Sequence, residues 1–172
     1  MKQNSRSALL FNVGFLLHQD VGISRNFDFD EPTVQIADDL DVTDFRGTLS
    51  LTRTAQGLYA QGRMNATINL DCVRCLTSFP YELTVELTDL FVHPPNQATD
   101  PLLVIAVTGE LDLSGILREY MLLDIPTQPI CVSDCQGLCA VCGGRLADDC
   151  CEHPELEVDP RLAVLRSLLP DS

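Results

Sequence analysis

The chain has no tryptophan, one lysine (Lys2) and three histidines among its 172 residues. With aromatics at only 6% of the sequence, the core has to be largely aliphatic. Positive charge is scarce as well. Eleven Lys and Arg stand against twenty-five Asp and Glu, a formal charge of -14. Such a surface repels polyanions at long range, which argues against broad electrostatic capture of nucleic acid. No run reaches the roughly 18 apolar residues that a membrane-spanning helix needs. The basic and then apolar start, Met1 to Phe11, meets Asn12, His18, Gln19 and Asp20 without a small-residue cleavage pattern, so a cytoplasmic protein with no membrane partner is expected. There is no P-loop, no G-x-G-x-x-G and no G-x-S-x-G, and His18, His93 and His153 fall in no metallohydrolase pattern. Neither an enzyme nor a small-molecule substrate is expected.

Cysteine, by contrast, is abundant, with eight residues. Disulfides in a secreted protein compete with thiolate ligands in an intracellular one, and the missing signal pattern together with the C-x-x-C spacing favours metal. The cysteines divide into Cys72-Val73-Arg74-Cys75 and a later cluster at Cys131, Cys135, Cys139, Cys142, Cys150 and Cys151. A C-x-x-C turn brings two thiolates within reach of one zinc ion. In Cys139-Ala140-Val141-Cys142-Gly143-Gly144 the glycines also let backbone N–H groups turn toward the sulfurs.

The expected partition joins Cys72 and Cys75 to Cys131 and Cys135 in one tetrahedral site. A second site would use Cys139, Cys142 and Cys150 with Cys151, or with His153 as the alternative ligand because adjacent cysteines chelate awkwardly. A rival partition places Cys135, Cys139, Cys142 and Cys150 on a single ion and leaves Cys72 and Cys75 as reduced thiols or a redox pair. One or two structural zinc ions are expected, although iron suits the same thiolates. Between Cys131 and Cys151 the apolar residues are few, chiefly Val132, Leu138, Val141 and Leu146. Metal binding must therefore contribute folding free energy there.

Periodicity places these motifs on an α+β fold: an antiparallel β-sheet with a long hairpin, one or two packed helices and a Cys-rich zinc-binding C-terminal segment. Leu9, Phe11, Val13, Phe15 and Leu17 repeat with period two and read as a strand. The stretch 28–44 carries Asp28, Asp30, Glu31, Asp38, Asp39, Asp41 and Asp44 without a cation, and with Pro32 it reads as a loop containing one short edge strand. Strand alternation returns over 45–53, is clearest over 58–70 and resumes over 81–87. Thr54 to Gly57 reads as a hairpin connection, and the Cys72–Cys75 turn as the tip of a long hairpin. Residues 102–107 read as a short strand. A helix capped by Asp112 or Ser114 presents Ile116, Leu117, Tyr120, Met121 and Leu123 on one side and stops before Pro126. Asp159-Pro160 opens a short docked helix over 159–169. A single domain, 1–172, is expected, with a β-rich core and helix over 8–126 and the metal segment over 131–153.

Four elements in order carry a family likeness: Cys72-x-Arg74-Cys75-Leu76 with Phe79; Leu122-Leu123-x-Ile125-Pro126; Cys135-x-Gly137-Leu138-Cys139-x-x-Cys142-Gly143; and Asp159-Pro160-Arg161-Leu162-Ala163-x-Leu165. Together they resemble the bacterial YceD-like family, named for accumulation of large-subunit ribosomal RNA. The resemblance implies a non-enzymatic cytoplasmic role in 23S ribosomal RNA production or ribosome assembly. So acidic a chain is expected to act through a basic ribosomal or rRNA-processing protein docked on the acidic stretch, with direct rRNA contact at Arg63 and Arg74 as the second reading. A zinc-stabilised interaction module unrelated to ribosomes, or a thiol redox protein, are the alternatives.

Overall fold

The computed structural model describes residues 9–148. The described residues open with a short strand β1 (Leu10–Asn12) and a one-turn helix α1 (Gly14–Leu17). Four long strands follow: β2 (Ser24–Ala37), β3 (Leu40–Thr54), β4 (Gly57–Asp71) and β5 (Ser78–Val92). They form an antiparallel meander in that spatial order. After it come β6 (Glu110–Asp112), which pairs with β1, and helix α2 (Ser114–Asp124).

The pleat of the sheet follows the alternation in the sequence. Leu58, Ala60, Met64, Ala66 and Ile68 of β4 are buried, as are Leu83, Val85, Leu87 and Phe91 of β5, while Gln61, Arg63, Asn65, Glu82, Thr84 and Glu86 stay exposed. One face is therefore wet, as antiparallel sheets allow. The dry face receives Ile116, Leu117 and Met121 of α2 together with Leu9, Val13 and Leu16. Three edge-to-face aromatic contacts run across one corner, Phe11–Phe27 at 5.1 Å, Phe11–Phe29 at 5.7 Å and Phe29–Phe45 at 5.2 Å between centroids. At the β3–β4 turn Gly57 has φ +155°, and a Cβ there would lie 2.0 Å from the Phe91 carbonyl oxygen, so the close approach of β5 requires glycine. Arg53 locks the same end, donating to the carbonyls of Leu17 (3.1 Å), Gly57 (3.0 Å) and Thr54.

Four expectations are corrected. The period-two strand over 9–17 is only three residues long, and α1 follows it. Leu9, Val13 and Leu16 are the fully buried residues, one before β1, one at the start of α1 and one within it, a spacing that a single strand of period two would not give. The acidic stretch 28–44 is the closing end of the β2–β3 hairpin. Its acids point to solvent while Phe29, Val34, Ile36, Leu40 and Val42 point inward. Pro32 is tolerated because β2 is an edge strand. Residues 102–107 form no strand and make only an isolated parallel bridge, Val104 to Val92. Leu123 is 84% exposed instead of lying on the buried face of α2. The expected helix over 159–169 lies outside the described residues.

The turn between β2 and β3 is tied to α2 by a two-pronged ion pair. Arg118 Nε donates to Asp39 Oδ1 at 2.9 Å and Nη2 to Oδ2 at 2.5 Å. Hydrogen bonds from Arg118 hold the Asp39 carboxyl below its ordinary value of 3.8. A depressed carboxyl contributes stability above its unfolded-state pKa and loses it as pH falls through the folded one. Asp39→Asn is accordingly expected to destabilise the protein at neutral pH by an amount that begins to shrink as pH falls below about 4 and goes on shrinking through the depressed folded-state value, read from urea midpoints across pH 2 to 7. In the core, Phe45→Ala is expected to cost about 3–5 kcal/mol. Thr48→Ala on the wet face should stay within about 0.5 kcal/mol in the same denaturation assay.

Candidate metal centre

The long β4–β5 hairpin ends in a knuckle. Cys72 N–H donates to the Thr77 carbonyl and Leu76 N–H to the Cys72 carbonyl, each at 2.9 Å, so residues 72–76 fold into one tight turn. Leu76 closes it at φ +57°, a left-handed conformation disfavoured for a side chain of its size. The chain after α2 is brought against this tip by two bonds. Val73 N–H donates to the Pro129 carbonyl at 2.9 Å, and Arg74 Nη1 donates to the Cys135 carbonyl at 2.9 Å. Cys135 N–H in turn donates to the Val132 carbonyl at 3.1 Å, which curls 131–135 so that both of its cysteines face the tip.

The result is a cluster of four sulfurs, Cys72, Cys75, Cys131 and Cys135, all within 4.8 Å of one another. Cys72 Sγ lies 3.8 Å from Cys135 Sγ, and Cys75 Sγ lies 3.6 Å from Cys131 Sγ. Four thiolates at about 2.3 Å from a tetrahedral zinc ion sit about 3.8 Å apart, so donor set and spacing both fit that ion. Cys72, Cys75 and Cys135 are buried and Cys131 is half-exposed. Phe79, Ile130 and Leu138 pack around them, forming an apolar cluster separate from the main core.

The electrostatics are uneven. Burial pushes the Cys72 thiol up, but backbone N–H groups of Cys131, Cys75 and Arg74 and the Cys75 side chain outweigh it and leave the group at about 6. The Thr77 hydroxyl, 3.2 Å from Cys75 Sγ, and the Thr77 backbone hold Cys75 down as well. Burial and the neighbouring thiols push Cys131 up to about 12, and burial likewise raises Cys135. The hairpin tip thus offers two sulfurs biased toward the thiolate, and the incoming segment two thiols that would give up protons to a metal. With all four bound, a tetrahedral ion has no vertex left for water or substrate.

The remaining sequence-derived residues fall elsewhere. Cys139 and Cys142 sit in a separate turn outside the four-sulfur cluster, and Cys150, Cys151 and His153 lie outside the described residues. Arg63 is on the wet face of the sheet, 3.7 Å from Glu86 across the β4–β5 pair. Arg74 is engaged inward on Cys135. Thr77 went unnoticed in the sequence, because a hydroxyl two residues beyond a cysteine carries no pattern of its own.

The family model described as "Large ribosomal RNA subunit accumulation protein YceD" matches residues 60–169. An uncharacterized protein of Mycobacterium leprae (strain TN) is 31% identical over 128 residues, covering 72% of this chain and 58% of its own length. One of Mycobacterium tuberculosis (strain ATCC 25618 / H37Rv) is 33% identical over 129 residues, with 72% and 62% covered. The uncharacterized protein YlbN of Bacillus subtilis (strain 168) is 32% identical over 102 residues, with 58% and 59% covered. The chain therefore spans about three-fifths of the length of these relatives. No solved structure matches it.

The knuckle generates a test of its own. Leu76 is 68% exposed, so its removal sacrifices little burial. A left-handed conformation costs a non-glycine residue about 1–2 kcal/mol, and glycine's added flexibility returns about 0.5–1 kcal/mol of that. Leu76→Gly is expected to leave metal content unchanged and raise stability by about 0.5–1 kcal/mol, measured by denaturation of the metal-loaded protein.

Proposed function

The chain belongs to the YceD family, and from that premise we propose that it is a non-enzymatic accessory factor for accumulation of large-subunit (23S) ribosomal RNA or for ribosome assembly. Its work is done in the cytoplasm, and its metal end is organised by structural zinc at Cys72, Cys75, Cys131 and Cys135. The observation that carries the proposal is the family match over residues 60–169, which takes in both halves of the four-sulfur cluster. Among the described residues no helix is long and apolar enough to cross a membrane.

The partner is a basic ribosomal or rRNA-processing protein. A charge of -14 disfavours a polyanion and favours a polycation. The outer strand β2 carries Asp28, Asp30 and Glu31 on exposed positions, where a basic surface can reach them. The second reading, a small direct RNA contact, falls to Arg63 on the exposed face of β4, since Arg74 at the hairpin tip is engaged on the Cys135 carbonyl. Titration against 23S rRNA fragments at several salt concentrations separates the two, because phosphate contacts give binding that weakens steeply with salt. Negligible binding at physiological salt, with retention of a basic ribosomal protein, is expected. Tight and steeply salt-dependent RNA binding would overturn the partner reading. Deleting the gene should lower 23S rRNA accumulation, and an unchanged rRNA profile would favour an interaction module unrelated to ribosomes.

Metal removal supplies the structural test. The sheet has its own apolar core, whereas residues 130–148 are held by the sulfur cluster and a few backbone bonds. Structural zinc in small sites contributes about 10–16 kcal/mol of apparent binding free energy. Chelation, or Cys135→Ser, is expected to raise hydrogen exchange throughout 130–148 while the centre of the β3–β4–β5 sheet stays protected. A metal-free, reduced sample with 130–148 still protected would contradict structural zinc.

A further inference from the structure

The four-sulfur cluster makes close contacts across the joint between its two halves. Cys75 Sγ lies 3.6 Å from Cys131 Sγ and Cys72 Sγ lies 3.8 Å from Cys135 Sγ, so each tip sulfur faces one on the arriving segment. The paired residues are 56 and 63 positions apart in the chain. A disulfide needs its two sulfurs to close to about 2.05 Å. From these positions that is a small side-chain movement, and the backbone bonds that hold the joint, Val73 N–H to the Pro129 carbonyl and Arg74 Nη1 to the Cys135 carbonyl, need not break for it.

The cluster is not equally shut on all sides. A cavity of about 280 Å³ opens on Cys75, Cys131 and Cys135, with Thr77, Asp134 and Gln136 on its wall. Cys72 takes no part in that lining and is fully buried, whereas Cys131 is half-exposed. Hydrogen peroxide is little larger than water, whose share of liquid volume is about 30 Å³, so the cavity admits it. Oxidation of thiolates follows access, which singles out the Cys75–Cys131 pair as the one met first.

We propose that the centre is an oxidation-sensitive fastener: peroxide entering the cavity joins Cys75 to Cys131, Cys72 and Cys135 follow, and zinc is expelled while the two segments stay joined. The proposal rests on the reading of these four residues as a structural zinc site. It differs from a redox pair inside the C-x-x-C turn, because the bonds cross the joint. In the first step the Cys131 thiolate attacks a peroxide oxygen and the O–O bond breaks, giving a sulfenic acid and hydroxide. The Cys75 thiolate then attacks the sulfenic sulfur, forming the S–S bond and displacing a second hydroxide. Two thiolates have lost two electrons and one peroxide has gained them. Only two sulfurs are then left for the ion, short of the four that a structural site uses, and the same two steps with a second peroxide join Cys72 to Cys135. Cross-links that close loops of this length restrict the unfolded chain, so they take over the tethering that the metal gave.

Oxidation and chelation therefore part company, since both remove zinc but only chelation frees the arriving segment. The full chain, reduced and with its zinc counted, is treated with hydrogen peroxide in steps. Zinc release is followed with a chromogenic zinc dye, disulfides are mapped by mass spectrometry of non-reduced peptides, and hydrogen exchange is measured over residues 130–135. The first disulfide made by any of the four cysteines is expected to be Cys75–Cys131, appearing together with free zinc and before Cys72–Cys135. Exchange over 130–135 is expected to stay at the zinc-loaded rate, in contrast to the chelated, reduced sample, and a dithiol reductant with added zinc should restore the starting state. A first linkage of Cys72 to Cys75, of Cys131 to Cys135, or of any of the four to another cysteine overturns the pairing. Exchange that rises on oxidation to the chelated level overturns the retained tether. A reduced chain that holds no zinc as purified overturns the zinc reading and with it the expulsion, whereas zinc that is bound and then released with the wrong linkage overturns this proposal alone.

Discussion

Four sulfurs within 4.8 Å of one another cannot all carry charge unless a cation sits among them, and this constraint shapes the metal end of the molecule. Each half of the cluster belongs to a different part of the chain, the β4–β5 tip and the segment after α2. The ionisation pattern is uneven across the two halves: the tip sulfurs are held down by backbone amides, that of Cys131 on the arriving segment among them, and by Thr77, while burial pushes the arriving sulfurs up. A bound dication turns the mutual repulsion into a shared attraction. It would thereby fasten a polar, loop-like stretch to a rigid hairpin with only the small apolar cluster of Phe79, Ile130 and Leu138 to help it.

The division of labour between the two apolar clusters follows. The main core is a wet-faced meander covered by α2, α1 and the first turn of the chain, and it contains none of the four sulfurs. The smaller cluster has Phe79, Ile130 and Leu138 around the cysteines. A strand pair 15 residues long on each side carries the knuckle well clear of the core. Arg74 then belongs to the site's mechanics, since its bond to the Cys135 carbonyl fixes the chain at the position from which Cys135 points inward. This gives a physical meaning to an arginine inside the C-x-R-C motif.

What could be read in the sequence depended on whether one local rule acted alone. β4 was legible because it sits mid-sheet with one wet face, so that period-two alternation survives from Leu58 to Leu70. α2 was legible from its stripe and from Pro126, although Leu123 shows that a helical stripe does not say where coverage ends. The start of the chain was misread because Leu9 to Leu17 is apolar on every side, and strand and helix then give nearly the same pattern. The acidic hairpin was hidden for a different reason. Its charges dominate composition, while the inward residues Phe29, Val34 and Ile36 are interrupted by Pro32 and a register shift after Gln35. At the site, C-x-x-C spacing announced the pairs, but Arg74's inward bond and Thr77's place beside Cys75 depend on contacts that sequence does not encode locally.

The turn at Cys139–Cys142 closes as the Cys72–Cys75 turn does, with Gly143 N–H donating to the Cys139 carbonyl at 2.9 Å, but the two differ in backbone cost. Gly143 occupies its left-handed position at no steric penalty, and Leu76 occupies the equivalent position against its preference. An unfavourable backbone conformation persists only where the surroundings over-determine it. Around Leu76 they do: the hairpin strands fix both ends of the turn, Val73 is held by the Pro129 carbonyl, and the cysteines on either side are drawn into the cluster. The second turn has only a short hairpin and no comparable scaffold, so it needs the residue that adopts the conformation unaided. Glycine at 143 and leucine at 76 thus record how much rigid structure stands behind each pair of sulfurs.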